Sequence, residues 1–321
     1  MSSSTQGKQA AILLLPTEIL LEITSYHHST PLPYERYRRA TGDELLLGRF
    51  DVLRALSQTC RTFRWIFHAL VWERLEALPS PLDRPGRHIS LFKRRMTGIL
   101  KTPSLPRCVR TLLVSLDLAA PNWNLFTVFV RFLQATPNLS ALHITDISDR
   151  HAGILCDRLH AHTFPAVRTL AIPSALARIV SAFPNIRTLI CAESFVPDAG
   201  ARALLKAARK SCPALEGLVH FTPSPHVIIC ILAHFPCVKT LKFRHLVKLD
   251  ELALLSPLQH LRSIEFPYRH TPRGDTLERI CDAARALFLP ADGAPIVVYQ
   301  SVPEADIGDL LVKAGFAECP I

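Results

Sequence analysis

Residues 164–172 read FPAVRTLAI and residues 183–191 read FPNIRTLIC, and this repeated pattern is the main indication of the fold. Each run holds an apolar residue, two further residues, a leucine, one further residue and a last apolar or cysteine position. The same spacing returns in TPNLSALHI, CPALEGLVH, FPCVKTLKF and LQHLRSIEF, and between Val109 and Val114. Each run has the length of one short β-strand, since strands usually hold about 3–10 residues.

The central apolar positions of these runs follow one another at a loose period. They are 30, 28, 19, 29, 23 and 23 residues apart, at Leu112, Leu142, Leu170, Leu189, Leu218, Leu241 and Ile264. Segments with helical spacing lie between them, at 152–159, 175–183, 199–210, 227–234 and 277–287. One strand–helix unit cannot bury its apolar face alone, whereas stacked units can. We therefore predict an α/β (mixed) fold in which residues 106–321 form a curved solenoid of about seven or eight strand–helix units.

Both ends of the predicted solenoid need their own elements. Residues 296–299 can add a last strand, and residues 307–314 a capping helix that ends at Gly315. Before the solenoid, residues 79–105 read as a linker with an amphipathic helix at 88–100, and residues 1–10 as a disordered leader. Residues 11–78 predict a module of three helices with a loop insertion at 27–50, its last helix running on to Leu78.

Composition excludes several classes of protein. With 49% hydrophobic and 20% charged residues the chain is not generally disordered, and its apolar runs are too short to span a membrane. Nine cysteines without a CxxC pair indicate buried thiols in a reducing compartment, so we expect a cytoplasmic or nuclear protein. The net charge of +10 comes mostly from residues 1–110, which hold 17 basic and 9 acidic side chains. A nucleic-acid binder using residues 31–40 and 84–101 is thus an alternative, although such a surplus is more often solvated surface.

Patterns of catalytic or metal-binding residues are poor. GxSxG, HExxH, a phosphate-binding loop and a dinucleotide fingerprint are all missing from the sequence. The pair His160 and His162, and the set Cys230, His234 and Cys237, do not match the spacing of a zinc module. We therefore expect no catalytic residues, no metal site and no cofactor, and a protein that is not an enzyme.

The N-terminal wording resembles the F-box motif. It runs through Leu15-Pro16-Thr17-Glu18-Ile19-Leu20, then LSQTCRTFR at 56–64, then Trp72-Glu73-Arg74-Leu75. The C-terminal repeats are similar to leucine-rich repeats, although they lack the asparagine that usually follows each strand, and the insertion 27–50 is longer than the family usually has. The resemblance implies a substrate-recognition subunit of a Skp–cullin–F-box ubiquitin ligase, in the ubiquitin conjugation pathway. Its partners would be the Skp adaptor with the cullin ligase core, and an unidentified target protein.

Two sets of residues follow as candidate binding sites. The resemblance implies that the adaptor is bound by apolar residues of the N-terminal module: Leu15, Pro16, Ile19, Leu20, Ile23, Leu56, Cys60, Phe63 and Trp72. Stacked strands would place one residue of each repeat in a column, and the basic members are candidates for binding an acidic or phosphorylated target: Arg110, Arg168, Arg187, Lys239 and Arg262. The alternative for the column is that these residues only keep the strand face hydrated.

A leucine-rich scaffold that never enters a ligase remains the main alternative for the whole chain. It would have the same solenoid, but its N-terminal helices would pack back on the repeats rather than expose an apolar face.

Overall fold

The computed structural model describes residues 15–25, 49–79, 87–116, 123–193, 197–245, 247–267, 275–287 and 297–301. Within these residues, strands and helices alternate along the chain, and the strands form one nine-stranded sheet. All neighbouring pairs are parallel, and the order in the sheet is the order in the chain. The predicted leader at 1–10, most of the insertion at 27–50 and the capping helix at 307–314 lie outside the described residues.

The strands are short, with four or five residues each. Their bounds are β1 Arg74–Ala77, β2 Thr111–Val114, β3 Ala141–Ile144, β4 Thr169–Ile172, β5 Thr188–Cys191, β6 Gly217–Phe221, β7 Thr240–Phe243, β8 Ser263–Pro267 and β9 Val297–Ser301. The helices are α1 Thr17–Ser25, α2 Arg49–Thr59, α3 Arg61–Glu73, α4 Arg87–Leu100, α5 Trp123–Ala135, α6 Asp149–Leu159, a 3₁₀ helix Ser174–Ala182, α7 Asp198–Ser211, α8 Pro225–His234, α9 Leu249–Leu254 and α10 Asp275–Leu287.

The register of the sheet stacks equivalent residues of each repeat. In β4 and β5, for example, Leu170 pairs with Leu189 and Ile172 pairs with Cys191. Because side chains alternate across a strand, the second and fourth positions of each strand point to the same side. Apart from His220 in β6, these side chains of β1 to β8 join the buried faces of α4 to α10 in one continuous core. The helices therefore cover one face of the sheet, as in a solenoid.

The first strand corrects the prediction for residues 72–78. The sequence predicts that the third helix continues to Leu78. In the structure that helix ends at Glu73, and residues 74–77 form β1. Leu75 and Ala77 are buried in the solenoid core, and β1 pairs in parallel with β2. Local sequence is compatible with a helix here, but pairing with β2 satisfies the backbone and buries both apolar side chains, so the tertiary partner decides. Strand–helix stacking therefore starts before the predicted linker, whose helix α4 buries Phe92 and Met96 in the same core.

One repeat places a histidine where its neighbours have an apolar residue. His220 follows Leu218 at the spacing of the last core position, yet its backbone φ is 63°, in the left-handed region. The register between β6 and β7 shifts at this point, so that Phe221 pairs with Phe243. One extra residue in a strand is a bulge, and it moves the next side chain onto the other face. The bulge thus puts Phe221 into the core slot and keeps the imidazole out of it.

The shortest repeat uses a tighter helix. Only 19 residues separate Leu170 from Leu189, and the segment between β4 and β5 is the 3₁₀ helix rather than an α-helix. A 3₁₀ helix rises about 2.0 Å per residue, against about 1.5 Å in an α-helix, so fewer residues span the height of the unit. It still buries Leu176, Ile179 and Val180 against the sheet.

Candidate interaction surfaces

The N-terminal helices have a small core of their own. It is formed by Leu20 of α1, Leu53 of α2, and Phe63, Phe67 and Val71 of α3. The rings of Phe63 and Phe67 meet edge to face with centroids 5.5 Å apart. A cluster of this size leaves much of the apolar surface of three helices unburied.

Helix α1 exposes an apolar stripe. Ile19 and Ile23 are four residues apart, which places them on one side of the helix, and each is 46% exposed. Leu15, just before the helix, is 37% exposed. Leu20 and Thr24, also four apart, are buried on the side that faces α2. An isoleucine that stays half exposed on a short helix contributes little to folding and is available to a partner.

The structure divides the predicted adaptor-binding set into three groups. Leu15, Pro16, Ile19 and Ile23 are exposed on or just before α1. Leu20 and Phe63 lie in the core of the N-terminal helices and are not at the surface.

The remaining residues of that set, Leu56, Cys60 and Trp72, are half-buried. Cys60 precedes α3, and its Sγ accepts the backbone N–H of Phe63 at 3.4 Å as a helix cap. Trp72 packs against both the N-terminal core and the solenoid core, and its indole N–H donates to His68 Nε2 at 3.3 Å. It therefore links the two parts of the chain.

Two exposed large apolar residues of the N-terminal helices are not among the residues predicted to bind the adaptor. Leu21 on α1 is 38% exposed, and Trp65 on α3 is 82% exposed. Trp65 falls outside the stripe of Phe63, Phe67 and Leu70 that marks the inner face of α3. A large apolar residue off the buried stripe of an amphipathic helix is a signal for an exposed contact residue.

At the start of the strands, one residue of each repeat forms a continuous ladder, which we call the rim column. Each backbone N–H donates to the carbonyl of the preceding member at 2.7–2.8 Å. Its members, in chain order, are Arg110, Ser140, Arg168, Arg187, Glu216, Lys239 and Arg262, and Arg110 itself donates to the Glu73 carbonyl at 2.8 Å. The five basic candidates of the sequence analysis therefore stand in one row.

Charges along the rim column are unevenly neutralised. At one end, Arg110 Nε lies 3.8 Å from Glu73 Oε1. Farther along, Lys239 Nζ donates to Glu216 Oε1 at 2.8 Å. This hydrogen bond and the positive charge of Lys239 lower the pKa of the Glu216 carboxyl, with a smaller contribution from Arg187. Between these two pairs lies a stretch with more positive charge than negative.

On the side of the sheet opposite the helices, the middle strands are largely buried. The third position of each strand points to this side, yet Leu113, Ala171 and Ile190 are buried there and stand outside the solenoid core. Arg244, just after β7, reaches across β6 and donates from Nη2 to the Cys191 carbonyl at 3.0 Å. The exposed basic side chains at the strand starts are thus more accessible to a partner than the centre of the sheet.

A histidine lies within this buried row. His143 is the third residue of β3, between Leu113 of β2 and Ala171 of β4. Burial, and then the positive charge of Arg74, lower its pKa to about 4. Its Nδ1 has no hydrogen-bond partner among the described residues. The imidazole is therefore neutral at pH 7.

Two buried cysteines are held in the protonated form. Burial raises the pKa of Cys191 and of Cys212 to about 12, so both remain protonated thiols at neutral pH. Within the part of the chain that the structure describes, no three His, Cys, Asp or Glu side chains are grouped so as to hold a metal ion.

Comparison with known proteins leaves the surfaces as the main guide to function. No family model matches the chain. No curated protein is significantly similar to it. Among the described helices, none combines the length and the apolar character needed to cross a bilayer.

Proposed function

We propose that this protein is a substrate-recognition subunit of a Skp–cullin–F-box ubiquitin ligase. The N-terminal helices bind the Skp adaptor, and the solenoid binds a target protein. The chain performs no chemistry of its own; it holds the target near the transfer machinery of the ligase core and so raises its effective concentration.

The observation that carries the proposal is the exposed apolar stripe formed by Ile19 and Ile23 on α1 and Leu15 just before it. It coincides with the segment whose wording resembles the start of the F-box motif. The N-terminal helices also keep a core separate from that of the solenoid, joined to it through Trp72. A scaffold whose helices pack back on the repeats would bury this stripe, so the exposed stripe favours the ligase subunit over the scaffold.

The double variant Ile19→Asp, Ile23→Asp is expected to lose the Skp adaptor. Two carboxylates in a desolvated apolar interface cost several kcal/mol, so we expect affinity to fall by about 100-fold or more. Both positions are exposed, so the variant is expected to keep the thermal stability of the wild type. The measurement is co-purification of the full chain with the adaptor, followed by titration calorimetry.

The matched control places the same two charges at other exposed apolar positions. Leu249 and Leu254 on α9 are 49% and 41% exposed, and Leu249→Asp with Leu254→Asp is expected to bind the adaptor as the wild type does. Failure of the wild-type chain to bind any Skp adaptor would overturn the proposal. Equal binding by the folded Ile19→Asp, Ile23→Asp variant would remove α1 from the interface.

A further inference from the structure

Arg168 and Arg187 stand side by side in the rim column with little to neutralise them. Both side chains are exposed. Arg168 uses one guanidinium N–H, from Nη1, on the Asn185 carbonyl at 3.1 Å. Among the described residues no carboxylate forms an ion pair with either arginine, because the neighbouring Glu216 forms its ion pair with Lys239. Like charges on adjacent strands destabilise a sheet, so an anion placed between them would be stabilising.

A hydroxyl follows each of the two arginines. Thr169 and Thr188 are the first residues of β4 and β5, are paired in register, and are half-buried. Two guanidinium groups and two hydroxyls are thus carried by neighbouring strand starts, whose backbones lie about 4.8 Å apart, and together they offer several hydrogen-bond donors. Planar guanidinium groups match a carboxylate especially well.

The rim column already contains one carboxylate held by a basic neighbour. Glu216 occupies the place in the ladder next to Arg187, accepts from Lys239 Nζ at 2.8 Å, and has a lowered pKa. The lowered pKa is caused chiefly by Lys239, with a smaller contribution from Arg187. A carboxylate bound to Arg168 and Arg187 would likewise be stabilised by cations of the rim column.

We propose that Arg168, Thr169, Arg187 and Thr188 form a carboxylate-binding site for an extended acidic segment of the target protein. This inference rests on the proposed role of the solenoid in binding a target, and it names the chemistry of what is bound. Arg168 and Arg187 lie on adjacent strands. Alternate side chains of an extended segment share one face and lie about 7 Å apart, a distance that two long arginine side chains can span. The bound segment is therefore expected to carry two acidic residues separated by one other residue.

The test uses the full chain and fluorescein-labelled peptides. The probe is a twelve-residue peptide of Gly and Ser with Glu at two positions separated by one residue, and its matched partner has Gln there. We expect the Glu peptide to bind, and Arg168→Gln with Arg187→Gln to weaken binding about tenfold, as measured by fluorescence anisotropy. A gain is expected from Glu216→Gln, since removal of this carboxylate frees Lys239 for the ligand.

The control removes two positive charges elsewhere. Arg158 of α6 and Arg202 of α7 are exposed on the helical side, and Arg158→Gln with Arg202→Gln is expected to leave peptide binding unchanged. Equal loss in this control would mean non-specific attraction and would overturn the site. Binding of the Gln peptide at the same strength, binding only after phosphoserine replaces Glu, or tighter binding of a mixed RNA oligonucleotide that Arg168→Gln abolishes would each overturn the carboxylate assignment.

Peptide binding is measured without the adaptor, and adaptor binding without a peptide. A chain that binds the adaptor but not the Glu peptide keeps the proposed function and loses the carboxylate site. A chain that binds the peptide but no adaptor loses the ligase assignment and keeps the site.

Discussion

Leu189→Ala is expected to lower the free energy of unfolding by about 3 kcal/mol. Leu189 is the second residue of β5, is fully buried, and stacks in register between Leu170 of β4 and Leu218 of β6. Truncation removes apolar contacts and leaves a cavity between strands whose hydrogen bonds resist collapse, so the loss should be near the middle of the range for buried leucines. Urea unfolding followed by circular dichroism measures the change.

The same substitution on the surface provides the comparison. Leu249→Ala removes the same atoms from a side chain that is half exposed on α9, and we expect a change below about 0.5 kcal/mol. Repeat proteins can unfold in parts, so the slope of the transition is compared as well as its midpoint. Similar losses of stability in both variants would contradict the burial of Leu189 between β4 and β6.

His143 is expected to make the protein less stable as pH falls from about 6.5 to about 4. In the folded chain its pKa is lowered to about 4, whereas an unfolded histidine has a pKa near 6.5. Between these values the unfolded state binds more protons, so protonation favours unfolding. A difference of about 2.5 units corresponds to about 3 kcal/mol lost over this range. Arg74 of β1 is the charged group that acts on His143, and its Nε forms an ion pair with Glu76 Oε1 at 2.7 Å.

The variant His143→Leu isolates this contribution. It cannot bind a proton, and its new side chain has the apolar character of Leu113 beside it. The free energy of unfolding of the variant minus that of the wild type is therefore expected to increase by about 3 kcal/mol between pH 7 and pH 4. His260→Leu, at an exposed position, is expected to show the pH dependence of the wild type. A constant difference between His143→Leu and wild type would rule out a buried neutral imidazole at this position.

Much of the solenoid could be predicted from the sequence because its signal is local. The two apolar positions that flank one other residue recur in each repeat, and the structure pairs these positions strand by strand, as with Leu170 and Leu189. The exceptions arose where a distant partner decides. Residues 74–77 become a strand because β2 lies beside them, and His220 leaves the core because a bulge brings Phe221 opposite Phe243.

The candidate surfaces were less predictable, because the identity of an apolar residue does not show whether its side chain is buried or exposed. Leu20 and Ile19 are neighbours in the predicted adaptor set, yet Leu20 is in the core and Ile19 is half exposed. Only the packing of α2 and α3 against one side of α1 makes this distinction. Trp65 escaped notice for the same reason, since its exposure depends on which face of α3 meets the other helices.

The sequence by itself determined the repeating strand–helix plan, the register that aligns the repeats, and the row of basic residues at the strand starts. These follow from periodicity, which each unit carries within its own 19 to 30 residues. Only the tertiary structure decided which of those charges remain without a neutralising carboxylate and which apolar side chains remain exposed. Lys239 is neutralised by Glu216 from the preceding repeat, while Arg168 and Arg187, which lie between Ser140 and Glu216 in the rim column, form no ion pair among the described residues. Ion pairs and burial of this kind join residues of different repeats, which come into contact only when the repeats stack.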